Sequence, residues 1–122
     1  MNDDDRNAVI AAAVALLLEV RKQYLAAGAN PLKHWDQILS AWKVASRING
    51  TIPGFFAQLC KGLRLGAPSS SVSLASETLR TAASGCAERL AVTELNRMAA
   101  AILARARVVS EARRDARDKE IL

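Results

Sequence analysis

With 122 residues, 51% of them hydrophobic, the chain is long enough to bury one core without disulfide or metal staples and too short for a second domain of ordinary size. Aromatic residues make up only 4%, and the bulk of the apolar content is Ala, Leu and Val, a composition suited to closely packed helices; an all-α, single-domain bundle of four to five helices is expected, the last ones long. The formal net charge of +5 favours polyanionic partners, while two distant cysteines and one histidine are too few soft ligands for a zinc or iron–sulfur site, so neither metal nor cofactor is expected.

The charge is unevenly placed. An acidic cap at residues 1–5 holds three aspartates, and the charged end at residues 111–122 carries four acids and four bases that cancel. The body between has thirteen cations against five acids, a net of +8. Seven of these cations (Arg21, Lys22, Lys33, Lys43, Arg47, Lys61 and Arg64) stand between positions 21 and 64 with Asp36 as their only acid.

A first helix should begin near Asp5, where a carboxylate caps backbone N–H groups and complements the helix dipole, and run to about Ala27 before Gly28 stops it. From Ala8 to Leu18 eleven consecutive residues are apolar, closed by Glu19. That is well short of the roughly 20 that a bilayer requires, so no membrane span is expected. The aspartates ahead of it are the opposite of a secretory leader, and a cytoplasmic protein with reduced thiols is expected. A helix apolar on every face is either central to its bundle or covered by another subunit, which makes it the best sequence hint of self-association or of embedding in a complex.

Asn30-Pro31 reads as an N-cap followed by proline at the first helical position, opening a second helix that should run to about Ile48 and end at Asn49-Gly50. Trp35, Ile38, Leu39, Trp42 and Ala45 recur at helical spacing, with Asp36, Ser40, Lys43 and Arg47 on the other side. A third, shorter helix should start at Thr51 or Pro53, bury Phe55 or Phe56 with Leu59 and Leu63, turn Lys61 and Arg64 outward, and stop at Gly66. Residues 66–72, with a Pro-Ser-Ser-Ser run, form the expected linker. From about Ser73 to Lys119 the chain is helix-forming, with apolar positions Leu79, Ala83, Cys86 and Leu90, then Leu95, Met98, Ile102 and Val109. The phase shifts around Val92-Thr93, which predicts two helices in place of one.

No constellation carries chemistry. His34 and Asp36 are two residues apart and diverge on a helix; Ser69 to Ser71 have no neighbouring base; Cys60 falls on a buried side, Cys86 follows Gly85 at a close-packing position, and no glycine-rich phosphate loop is present. No catalytic residue is assigned, and the chain is not expected to be an enzyme. The pattern points instead to binding. Lys43 and Arg47 are four apart on one helix and Lys61 and Arg64 three apart on the next, so a hairpin could present four cations to phosphate oxygens, with Asn49, Thr51 and the start of the third helix adding donors. Arg21 and Lys22 follow as flanking contacts, and Tyr24 beside them is a candidate base-stacker; Trp35 and Trp42 fall at core spacing.

A helix-turn-helix reading of the same stretch requires a short turn, whereas Ile48 to Pro53 looks long, and Gln58, Lys61 and Arg64 are few residues to read bases with. The expected function is therefore sequence-tolerant binding of DNA or RNA through its backbone, as a small subunit of a larger nucleoprotein complex. In size, helicity and charge over the whole chain the protein is similar to the small helical subunits of CRISPR effector complexes, a resemblance of profile with no motif behind it. It implies a non-catalytic role along a guide or target strand. The alternatives are a protein-interaction module, such as a homodimeric scaffold, chaperone or phage-type inhibitor meeting an acidic partner, and a helix-turn-helix transcriptional regulator.

Overall fold

A helix with no polar face must be wrapped, and the architecture is the wrapping. The computed structural model describes residues 3–48, 52–84 and 92–121, which form five helices and no strand: α1 (Asp3–Ala26), α2 (His34–Ile48), α3 (Ile52–Gly62), α4 (Ser70–Ser84) and α5 (Val92–Ile121). α4 and α5 pack along α1, α2 touches it more lightly, and α3 pairs with α2 as a hairpin that also reaches α4. Val9, Ala13, Leu16, Leu17 and Val20 of α1 are wholly buried, and Ile10, Val14 and Leu18 nearly so. Of residues 8–18 only Ala8, Ala11 and Ala15 are exposed. No large apolar side chain in that stretch is left exposed, so burial within its own chain accounts for the composition of the first helix. None of the helices, over the described residues, is long and apolar enough to cross a membrane.

α1 ends as its glycine dictates. Gly28 adopts φ +101°, a left-handed conformation in which the Gly28 N–H donates to Leu25 O at 3.0 Å and the Ala29 N–H to Tyr24 O at 3.2 Å. These two bonds satisfy carbonyls that the helix end would otherwise leave open. The start of α2 differs from the expectation. Asn30 Oδ1 accepts from the Leu32 N–H at 2.9 Å and Asn30 O from the Lys33 N–H at 3.1 Å, so Asn30 caps a tight turn at residues 31–33 and the helix proper begins at His34. An Asn-Pro pair specifies a turn as readily as a helix start.

α2 turns Ile38, Trp42 and Ala45 inward. Trp42 lies edge-on to both Phe55 (centroids 4.8 Å apart) and Phe56 (6.2 Å), and Phe55 and Phe56 are themselves T-shaped at 4.9 Å. Both phenylalanines are therefore core, where the sequence predicted one or the other. The indole Nε1–H of Trp42 donates to Asn96 Oδ1 at 2.9 Å, tying α2 to α5 and giving a buried polar group its partner. This pair of tryptophans is not a stacking platform: Trp42 is buried, and half-buried Trp35 packs against the core.

The expected linker is shorter than residues 66–72, because α4 already starts at Ser70. Ser69 is its N-cap, the hydroxyl accepting from the Val72 N–H at 3.2 Å. Gln23 of α1 holds the loop from α3 in place: its Nε2 donates to Leu65 O (3.4 Å) and Ala67 O (3.2 Å), and its Oε1 accepts from the Ser69 N–H (3.0 Å). α4 ends at Ser84 and α5 begins at Val92, so Val92 and Thr93, around which two helices were expected to part, lie within α5. Leu79, Ala83, Leu95, Met98 and Ile102 are buried as their spacing predicts, and Val109 is half-buried. Asn49, Thr51, Cys86, Arg89 and Leu90 lie outside the described residues, as do the side chains of the charged C-terminal end beyond Ala112.

If α1 is enclosed by its own chain, its two kinds of position respond oppositely to substitution. Leu17→Ala should lower the free energy of unfolding by about 3 kcal/mol in urea titrations, whereas Ala11→Glu should cost under about 0.5 kcal/mol and leave the sedimentation behaviour unchanged. A large destabilisation or dissociation with Ala11→Glu would show that this face is covered by another molecule.

Candidate nucleic-acid interface

The cations of the 21–64 segment separate into two kinds. Arg21 is half-buried: its Nε–H donates to His34 Nε2 at 2.7 Å, and its guanidinium carbon lies 5.6 Å from the centroid of the Trp35 ring. This is a cation–π and hydrogen-bonded link between α1 and α2. Arg21, expected among the backbone contacts, is thus drawn inward. Lys22, the next residue, is exposed.

His34, 4% exposed, is the partner that makes this possible. Its Nδ1 lies 2.7 Å from Pro31 O. A carbonyl can only accept and an arginine N–H can only donate, so the ring is neutral, with the proton on Nδ1 and the lone pair of Nε2 facing Arg21. Burial holds its pKa below the ordinary value of 6.5; the Arg21 and Arg107 charges push the same way, against the Pro31 carbonyl, which favours the protonated ring. Burial likewise raises the pKa of the Cys60 thiol, a wholly buried group with no catalytic company. Among the described residues, no three His, Cys, Asp or Glu side chains come together as a metal site would need.

Lys43, Arg47, Lys61 and Arg64 remain at the surface, all exposed and none in an ion pair among the described residues. Asp36, the one acid of the segment, is matched from α5 by Arg107 at 3.6 Å. That contact is exposed and weak in energy, but it offsets the only negative charge on the outer side of α2. The four cations do not gather as one patch. α3 approaches α2 at Gly62, where a Cβ would meet the Ala41 Cβ at 3.5 Å. Ala41 is about 160° around the helix from Lys43. Lys43 and Arg47 therefore form an outward ridge on α2, Lys61 faces outward from α3, and Arg64 lies on the α3 flank of α2.

There the helix ends bound a groove of about 780 Å³, lined by Tyr24 from α1, by Lys33, Asp36, Gln37, Ser40, Ala41 and Val44 along α2, and by Gly62, Leu63 and Arg64 from the end of α3. Lys33, counted among the seven cations but not among the expected contacts, is set by the turn at residues 31–33 in the lining of this groove, as is Arg64. Tyr24 is half-buried, and its hydroxyl donates to Gln37 Oε1 at 2.7 Å instead of resting in water.

Arg64 has an unusual backbone. With φ +59° it occupies the left-handed position after α3, its N–H donating to Lys61 O and the Leu65 N–H to Cys60 O, both at 3.0 Å. It is the only non-glycine residue with positive φ among those described. Glycine normally fills this place, and a side chain there costs about 1 kcal/mol.

The helix-turn-helix reading gains in one respect and loses in another. α2 ends at Ile48 and α3 starts at Ile52, so the connection is three residues and not overlong. On α3, however, Gln58 is half-buried, and the exposed side chains among its described residues are Ala57 and, in the last turn, Lys61, too few to read bases. The cations of α4 and α5 are more often paired: Arg80 with Glu77, and Arg107 with Asp36. No protein-family model, no curated protein and no solved structure matches this chain.

The buried imidazole gives the fold a pH dependence whose sign is determined. Because the folded pKa of His34 lies below 6.5, the unfolded chain takes up this proton first. The stability associated with neutral His34 is complete above about pH 6.5 and lost as pH falls through the folded value. Urea midpoints should therefore decline between about pH 7.5 and 5, and His34→Gln should flatten that part of the profile; an identical slope in the variant would contradict this assignment.

Proposed function

We propose that this protein is a non-catalytic nucleic-acid-binding protein that grips the phosphate backbone with little regard to sequence, in the cytoplasm and as a small subunit of a nucleoprotein complex. One observation carries the reading. On the outer side of the α2–α3 hairpin, Lys33, Lys43, Arg47, Lys61 and Arg64 are exposed with no ion pair among the described residues, and the sole neighbouring acid is matched by Arg107. Solubility requires charge but not a run of exposed cations along two consecutive helices with one acid among them. Phosphate oxygens at regular spacing are the partner that such a run attracts.

The roles follow from position. Lys43 and Arg47 on the ridge, with Lys61, provide long, mobile side chains for phosphates; Arg64 is held in place by its strained backbone; Lys22 extends the field from α1. Arg21 acts indirectly, by fixing α2 against α1. Too few exposed polar side chains accompany these cations for base readout, which disfavours a site-specific regulator. An acidic protein partner is the competing class, and salt dependence separates the two.

Affinity for DNA or RNA oligonucleotides should fall log-linearly with salt, and each lost phosphate contact should reduce the slope by about 0.7 to 0.9. Arg64→Gly is the most diagnostic single change, because it should weaken binding while raising stability by about 1 kcal/mol. Unchanged affinity in the double variant Lys43→Glu with Arg47→Glu would contradict the proposal.

A further inference from the structure

The groove beside the cationic ridge has a character that phosphate binding alone does not require. Its lining includes the cations Lys33 and Arg64, but also an apolar part made by Ala41 and Val44 of α2 with Leu63 of α3. Val44 is 50% exposed there, a branched apolar side chain left partly in water on an otherwise polar side of α2. At about 780 Å³ the groove is within the range of small-ligand sites, roughly 300–1,000 Å³. An aromatic ring, Tyr24, stands at its edge.

We propose that this groove seats an unpaired nucleotide, making the protein a binder of single strands in preference to duplex; the inference rests on the nucleic-acid reading above and specifies its substrate. The phosphate lies between Lys33 and Arg64. The base lies on the apolar part made by Ala41, Val44 and Leu63, against the Tyr24 ring, where any of the bases can stack or make apolar contact. Gln37 accepts the Tyr24 hydroxyl proton through Oε1, which leaves its amide N–H groups to donate to a base edge.

Three features support the seat, and the second separates a single strand from a duplex. The charge is complementary, since the groove's one acid, Asp36, is already matched by Arg107. The shape is concave and apolar in part, which suits an unstacked base, whereas a duplex keeps its bases stacked and offers only phosphates to Lys33 and Arg64. Finally, Arg64 holds φ +59°, where glycine would be relaxed. Strained residues of this kind gather where a side chain must be aimed.

Fluorescence anisotropy with oligothymidylate and with a duplex of equal length tests this. The wild-type protein should bind the single strand about tenfold more tightly at moderate salt. Val44→Asp, at a half-exposed position, should lower single-strand affinity about tenfold and duplex affinity far less; Ser40→Trp, which fills the groove from an exposed position without adding charge, should act in the same way and guards against a folding defect in the first variant. Equal affinity for both forms, or equal losses for both in the variants, overturns the groove assignment and leaves backbone binding standing. Absence of salt-dependent binding to either form overturns the underlying reading as well.

Discussion

The burial of α1 is the constraint on which the rest of the structure depends. A helix with eleven consecutive apolar residues cannot lie at a surface, so α2, α4 and α5 must meet around it. The Leu16, Leu17 and Val20 side chains are covered completely. Each buried side chain of this size contributes about 1.5–3 kcal/mol through removal from water. With the first helix in the middle, every other helix has one side committed to it or to its neighbours, and charge is left to the outward sides. The basic face of α2 and α3 is a consequence of that division.

The division also sorts the arginines. Arg21 emerges from α1 close enough to the bundle to be engaged by His34 and the Trp35 ring, and Arg107 of α5 is close enough to Asp36 to offset it. Neither is among the outward cations of α2 and α3: one links α1 to α2, and the other partly offsets the nearby Asp36 charge. The cations that remain exposed are those at the farthest outward positions, together with Arg64, whose placement costs backbone strain. Within one charged segment, the cations that hold the helices together and those left open to a partner are thus different residues.

Much of this was legible in the sequence. Helical periodicity identified the buried side of α2 and α3, because Ile38, Trp42 and Ala45 on the one and Phe55 and Leu59 on the other recur at intervals that a helix brings together. Gly28 announced the end of α1 because its left-handed conformation is one that other residues adopt with difficulty. Arg64 in the same conformation gave no such signal, and the end of α3 was accordingly placed at Gly66. The Asn30-Pro31 pair was ambiguous between turn and helix start, and with it the position of Lys33. The Gln23 clamp spans 42 to 46 residues and the Arg21–His34 pair joins two helices, so neither leaves a local trace. The groove was invisible for the same reason: it exists only where the end of α1, the flank of α2 and the end of α3 come together, and no single stretch of sequence contains it. The apolar perimeter of α1 did not say whether its own chain or another would cover it, and its large side chains are covered by its own chain.

The central claim is that nucleic acid meets the outer side of α2 and α3. Titration of the isotopically labelled protein with a short oligonucleotide, followed by backbone amide chemical shifts, tests it most directly. The account predicts that the largest changes fall at Lys33, Lys43, Arg47, Lys61 and Arg64 and their neighbours, and that they fade as salt is raised. Changes concentrated instead on the exposed side of α1 around Ala11 and Ala15, or along α5 around Arg97 and Arg105, would contradict it.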